Sequence, residues 1–139
     1  MKNLLRLEEL AQFLLCLGLL IASDVAWWVY LLLLLGPDIG MLGYMISPRT
    51  GAATYNLLHH KAVALALFLL GGIIVPEGSI FQPVEPAFLI MIAAVVLYGH
   101  ASLDRIFGYG LKFGDNFHHT HLGWIGKSKS AESAESEVR

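Results

Sequence analysis

Charge is scarce in this chain. Only 14% of its 139 residues are Asp, Glu, Lys or Arg, whereas 56% are apolar, and the mean hydropathy is +0.64. Soluble domains carry about 25% charged residues, so a water-soluble globular domain is excluded and an integral membrane protein is expected. The formal net charge of −2 leaves no basic footprint for nucleic acid. One cysteine, Cys16, is present. It has no partner for an internal disulfide, and inside an apolar run it reads as a small packing residue. A serine nucleophile elbow is missing, and Gly108-Tyr109-Gly110-Leu111-Lys112 lacks phosphate-loop spacing. The N-terminus does not read as a signal peptide, because Glu8 and Glu9 interrupt its apolar stretch and Ile21-Ala22-Ser23-Asp24 is a poor cleavage site.

What the chain has in quantity is long apolar sequence. Four runs cover 4–22, 25–44, 52–75 and 87–107, each near the length of about 20 residues that crosses a bilayer as a helix. The expected fold is all-α, an integral membrane four-helix bundle over residues 1–126, followed by a disordered polar tail at 127–139. Arg6 and Glu9 have the spacing of an ion pair on one helical face. Ser23-Asp24 is expected to turn the chain and cap the second helix. Trp27, Trp28 and Tyr30 suit a membrane interface. Gly36-Pro37-Asp38-Ile39-Gly40 should bend or break the second run. The third run is expected as one helix after the polar turn Ser47-Pro48-Arg49-Thr50-Gly51.

Four crossings place both termini and the turn at Pro48 on one side. All nine Lys and Arg residues fall on that side or in the helix ends nearest it, while the opposite side carries Asp24, Glu77 and Glu85. The positive-inside rule makes the terminal side cytoplasmic. The expectation is a multi-pass inner-membrane protein with both termini in the cytoplasm and the lipid bilayer as its main partner. A homo-oligomer or a membrane-protein partner fits the same reading.

The same map gathers the chemistry. Asp38, then Tyr55, Asn56, His59 and His60, then His100, Asp104 and Arg105, then His118, His119 and His121 all come near the cytoplasmic ends of their helices. Ionisable groups at the edge of membrane-length runs are functional candidates by default. His100 and Asp104 share one helical face at four-residue spacing, so both can bind one ion, or Asp104 can orient His100 or pair with Arg105. His59 and His60 point about 100° apart on a helix, and spacing favours His60, which shares a face with Asn56. Asp38 is either a metal ligand or an N-cap. The histidine-rich segment after Asp115-Asn116 is either a mobile lid supplying a ligand or solvated surface. Tyr109 and Lys112 read as interfacial anchors. Imidazole and carboxylate without thiolate suit zinc, manganese or iron.

Four motifs together resemble a family signature. They are Pro37-Asp38 with Met41-Leu42-Gly43-Tyr44, Tyr55-Asn56-Leu57-x-His59, His100-x-x-x-Asp104-Arg105-x-x-Gly108-Tyr109-Gly110-Leu111-Lys112, and Thr120-His121-Leu122-Gly123. The chain is similar over nearly its whole ordered length to a small bacterial membrane family known as domain of unknown function family 4260. The resemblance implies a four-helix protein of the bacterial inner membrane and no established activity. It favours His59 over His60, and His121 over His118 and His119. A looser similarity links the Pro-Asp turn and the later histidines to membrane-bound metal-dependent hydrolases. Di-iron desaturases differ, since no HxxxH or HxxHH pair occurs here.

The leading functional expectation is a divalent-metal site drawn from Asp38, His59, His60, His100, Asp104 and His121, with His100 and Asp104 catalytic and Asn56, Tyr55, Arg105 and Tyr109 as further polar groups. The reaction would be hydrolysis of a lipid-like substrate. The alternatives are a non-catalytic scaffold or assembly factor held together by this cluster, and haem ligated between His59 or His60 and His100.

Overall fold

Apolar sequence that must satisfy its backbone hydrogen bonds away from water forms helices. The computed structural model describes residues 1–75 and 85–126, and most of that length is helical. Helix α1 is Lys2–Ala22, α2 is Trp27–Leu35, α3 is Pro48–His59, α4 is Lys61–Ile74 and α5 is Glu85–Phe107. A 3₁₀ helix, Gly36–Met45, links α2 to α3. Strands β1 (His119–Thr120) and β2 (Gly123–Trp124) form a small antiparallel pair, a departure from the all-α expectation. The tail at 127–139 lies outside the described residues, as does most of the loop at 76–86.

The breaks have local causes. Pro37 lacks an N–H and cannot continue α2 as an α-helix, so the chain tightens into ten residues of 3₁₀ helix, long for that conformation. Ser47 caps α3 by accepting from the Thr50 N–H at 3.1 Å, with Pro48 at the first helical position. The third apolar run is two helices, not one. His60 leaves the helical region (φ −87°, ψ 112°), and its Nδ1 accepts from the Ala62 N–H at 3.2 Å. It therefore caps α4, and the two axes meet at 47°. The turn before α2 also differs from expectation. The N-cap is Ala26, without a side-chain bond, and Asp24 instead takes a left-handed conformation (φ 48°) that carries the chain round the turn.

Helix α5 is the central element. α1 runs antiparallel to it, with Glu9 opposite Arg105 and Cys16 against Gly99. α4 also runs antiparallel, with Lys61 over the Tyr98 ring and Gly71 against Met91. α2 lies along the other flank, with Leu33 beside Gly99. Cys16, Leu20, Val29, Leu33, Val95 and Val96 fill the core between them. Beyond the end of α2, the 3₁₀ helix packs on α3 at backbone distance. Thr54 donates to the Gly40 carbonyl at 2.6 Å, and a Cβ on Gly40 would lie 2.9 Å from the Thr54 carbonyl oxygen.

Many large apolar side chains face outward, Leu15, Leu35, Leu69 and Ile73 among the most exposed. An apolar surface of this extent needs a nonaqueous neighbour. Trp27–Met45 and Pro86–Phe107 are long and apolar enough to cross a membrane, and α3 with α4 makes a third crossing if the bent pair is one span. α1 has 21 residues but carries Lys2, Arg6, Glu8 and Glu9 in its first half. Glu9 does not pair with Arg6 as its spacing suggests. It accepts from Lys61 and lies 3.5 Å from Arg105.

Gly40→Ala should lower the melting temperature in detergent, at a cost of about 1–3 kcal/mol for an overpacked contact. Gly72→Ala is the control, since a Cβ there meets nothing within 4 Å. Equal melting temperatures for the two variants would remove the claim that backbone contact at Gly40 positions the 3₁₀ helix.

Candidate metal centre

The site forms where the broken elements meet α5. Asp38 sits in the first turn of the 3₁₀ helix. His59 is the last residue of α3. His100 and Asp104 lie one turn apart near the end of α5. One ligand atom from each comes within 4.8 Å of all the others.

Each histidine is fixed by a backbone carbonyl. His59 Nδ1 lies 2.8 Å from the Tyr55 oxygen, and His100 Nδ1 lies 2.9 Å from the Leu33 oxygen. A carbonyl only accepts, so both Nδ1 atoms carry the proton. In the neutral rings, both Nε2 atoms then present lone pairs. Both are buried and have no hydrogen-bond partner, an arrangement that costs about 1–3 kcal/mol per unsatisfied group.

Carboxylate oxygens lie close to both atoms. His59 Nε2 is 3.6 Å from Asp38 Oδ1 and 3.4 Å from Asp104 Oδ2. His100 Nε2 is 3.5 Å from the same Asp38 oxygen and 3.8 Å from Asp104 Oδ1. These separations exceed ordinary hydrogen bonds. They match the edges of a coordination shell, since a tetrahedron with bonds of about 2.1 Å has edges of about 3.4 Å. Lone pairs facing anions repel unless a cation lies between them. The four residues thus form a buried His/Asp group suited to a metal ion.

The neighbours hold this group in place. Tyr55 donates its hydroxyl proton to Asp104 Oδ2 at 2.5 Å, and its ring stacks on His59 with centroids 3.7 Å apart. Asn56 clamps the chain after α5, accepting from the Lys112 N–H at 2.7 Å and donating to the Lys112 carbonyl at 2.8 Å. Lys112 is not an interfacial anchor. It is buried, with its ammonium 3.8 Å from the Phe117 ring centroid, 5.0 Å from that of Tyr55, and bonded to the Phe117 carbonyl at 3.1 Å. Burial pushes its pKa down, against the raising pull of Asp104 and Asp38. A lysine following Gly108-Tyr109-Gly110 was visible in the sequence, but nothing there marked it as buried.

The other candidate residues lie elsewhere. His60 is exposed and caps α4. Arg105 turns to Glu9 rather than Asp104. Tyr109 is half-exposed. His119 donates to Asp115 at 2.7 Å and stacks on Trp124, and this contact holds the Asp115 carboxyl below its usual range. The rings of His59 and His100 are edge-on with centroids 5.0 Å apart, which leaves no space for a porphyrin between them.

His121 braces the segment after α5 instead of entering the group. Its Nδ1 accepts from the Leu111 N–H at 2.8 Å, and burial holds its pKa below the ordinary value. The unfolded segment therefore binds a proton more readily between that lowered value and about 6.5. The bracing is complete above pH of about 6.5 and is lost as the pH falls through this window. Amide exchange at Leu111, corrected for intrinsic rates, should accelerate on acidification in the wild type and be fast at every pH in His121→Ala. Protection that stays constant as the pH falls would contradict this.

Comparison with known proteins adds a family and no function. No curated protein and no solved structure gives a match. A family model covers residues 2–125, a span that contains all four residues of the buried group, and the chain therefore belongs to the family described as Domain of unknown function (DUF4260).

Proposed function

We propose that this protein is a divalent-metal hydrolase of the membrane, acting on a lipid-like substrate, with the ion held by Asp38, His59, His100 and Asp104. The observation that carries the reading is the pair of buried Nε2 atoms, each fixed as an acceptor by a backbone carbonyl. Metal-binding histidines commonly donate their second ring nitrogen in this way. Two imidazoles and two carboxylates suit zinc, manganese or iron.

An ion held there would polarise a carbonyl or phosphoryl oxygen and lower the pKa of water. The chain supplies the rest. Asp38 is the most open of the four, with its side chain 36% exposed against 17% for Asp104, so substrate approaches from its side. Asp104 would hold the ion through one oxygen and keep the other, which accepts from the Tyr55 hydroxyl, to take the proton of the water. Hydrolysis joins the water oxygen to the acyl or phosphoryl centre and breaks the bond to the leaving oxygen. The proton taken by Asp104 passes to that leaving oxygen.

The same reading treats α1 as a further crossing, giving four spans with both termini in the cytoplasm and the site just inside that face of an inner membrane. It is supported by the antiparallel packing of α1 on α5, by the pairing of Glu9 with Lys61 and Arg105, and by the one-sided distribution of Lys and Arg along the chain.

Metal analysis of the detergent-purified protein tests the assignment. An equimolar divalent ion is expected in the wild type, in His60→Ala and in His121→Ala, and its loss in His100→Ala and Asp38→Asn. Tyr55→Phe should weaken the ion by about 10–100-fold, the usual effect of removing an outer hydrogen bond. Equal and substoichiometric metal in every variant would leave the cluster as bundle packing and favour the scaffold reading.

A further inference from the structure

A groove of about 520 Å³ runs between α2 and α5, within the range of about 300–1,000 Å³ usual for ligand sites. Trp28, Val29 and Leu32 form one wall, and Ile92, Ala93 and Val96 form the other. One end lies by Asp24 and Phe88, and the opposite end by Pro37 and Leu58. Pro37 and Leu58 are the chain neighbours of Asp38 and His59, and Val96 precedes His100 by one helical turn. The groove therefore ends beside the candidate metal centre. Between Phe88 and Leu97 it follows α5 for about 14 Å, at about 1.5 Å per residue.

Its chemistry is uniform. Asp24, at the far rim, is the one charged residue in the lining. Along the rest of the groove no side chain offers a charge to a ligand. Both walls belong to stretches long and apolar enough to cross a membrane, so the groove lies at hydrocarbon depth. Water there would find no partners, since a bound water needs two to four polar groups. A hydrocarbon chain fits both the walls and the surroundings.

We infer that the groove between α2 and α5 holds the acyl tail of the substrate, entering sideways from the bilayer with its first polar bond delivered to the Asp38 end. This rests on the hydrolase reading for the fate of that bond. It narrows the substrate class to amphiphiles with a long acyl chain and a hydrolysable group at its head. The charged rim at Asp24 marks where the tail stops.

A long-chain fatty acyl ester carrying a mid-chain diazirine tests this with the full-length protein in detergent, with metal content measured on the same samples. Ala93 is exposed within the groove, so Ala93→Trp fills it without entering the core. Ala66→Trp places the same bulk on an exposed position of α4. Photolabel is expected on the α2 and α5 walls in the wild type and in Ala66→Trp. In Ala93→Trp it should fall to background while metal content stays unchanged. Label spread evenly over the outward-facing helices, indifferent to Ala93→Trp, would overturn the groove assignment and leave the metal centre standing. So would loss of self-association in Ala93→Trp without any acyl label, which would give the groove to a second copy of the chain. Groove-specific label on protein without metal would support the tail site and overturn the hydrolase reading instead.

Discussion

Two backbone carbonyls, those of Tyr55 and Leu33, set the character of this molecule. By accepting from His59 and His100 they fix which nitrogen of each ring carries the proton. The opposite nitrogens are then left as bare acceptors among two carboxylates. Left alone, such a cluster concentrates negative potential at the edge of an apolar bundle, where the low dielectric magnifies it. A cation at the centre would attract all four groups and outweigh the repulsion between them. The carbonyl of Leu33 is helical backbone of α2 and that of Tyr55 is helical backbone of α3, so the ring orientations are as rigid as the packing of those helices on α5.

That packing depends on the interruptions in the chain. The 3₁₀ helix after Pro37 redirects the chain so that Asp38 faces α5, and the break at His60 lets α3 return to the same point before α4 continues along the bundle. Glycines allow the close contacts that this requires, at Gly40 against α3 and at Gly99 against Leu33 and Cys16. Nearby, Gln12 accepts from Lys61 at 2.5 Å and from Tyr98 at 3.0 Å, and Glu9 accepts from Lys61 and faces Arg105. This second polar network ties α1 to α4 and α5. Because its charges are paired, breaking one partner is far more damaging than the net worth of the pairs suggests.

Much of this was legible in the sequence, and the failures share a cause. Apolar runs located the long helices, and the His100–Asp104 spacing placed both side chains on one face of α5. Counting on an unbroken helix pointed to His60 as the partner of Asn56. The count fails because His60 itself ends the helix, and an imidazole acting as an N-cap carries no periodic signal. Asn56 proved to clamp Lys112, a long-range contact that no local pattern encodes. His121 shares a motif with the site residues but is spent on the Leu111 N–H. Among the charges of α1, Glu9 has its partners, Lys61 and Arg105, some fifty and ninety-six positions away in the chain, beyond the reach of any window average.

The sum of charges gives the account its sharpest consequence. Asp38 and Asp104 would balance a divalent ion, and two neutral imidazoles would join its shell without adding charge. X-ray absorption at the edge of the bound metal reads that shell directly. A first shell of nitrogen and oxygen only is expected, with scattering from two imidazole rings and bonds of about 2.0–2.2 Å. A shell of oxygen alone, or one with a single ring, would contradict it.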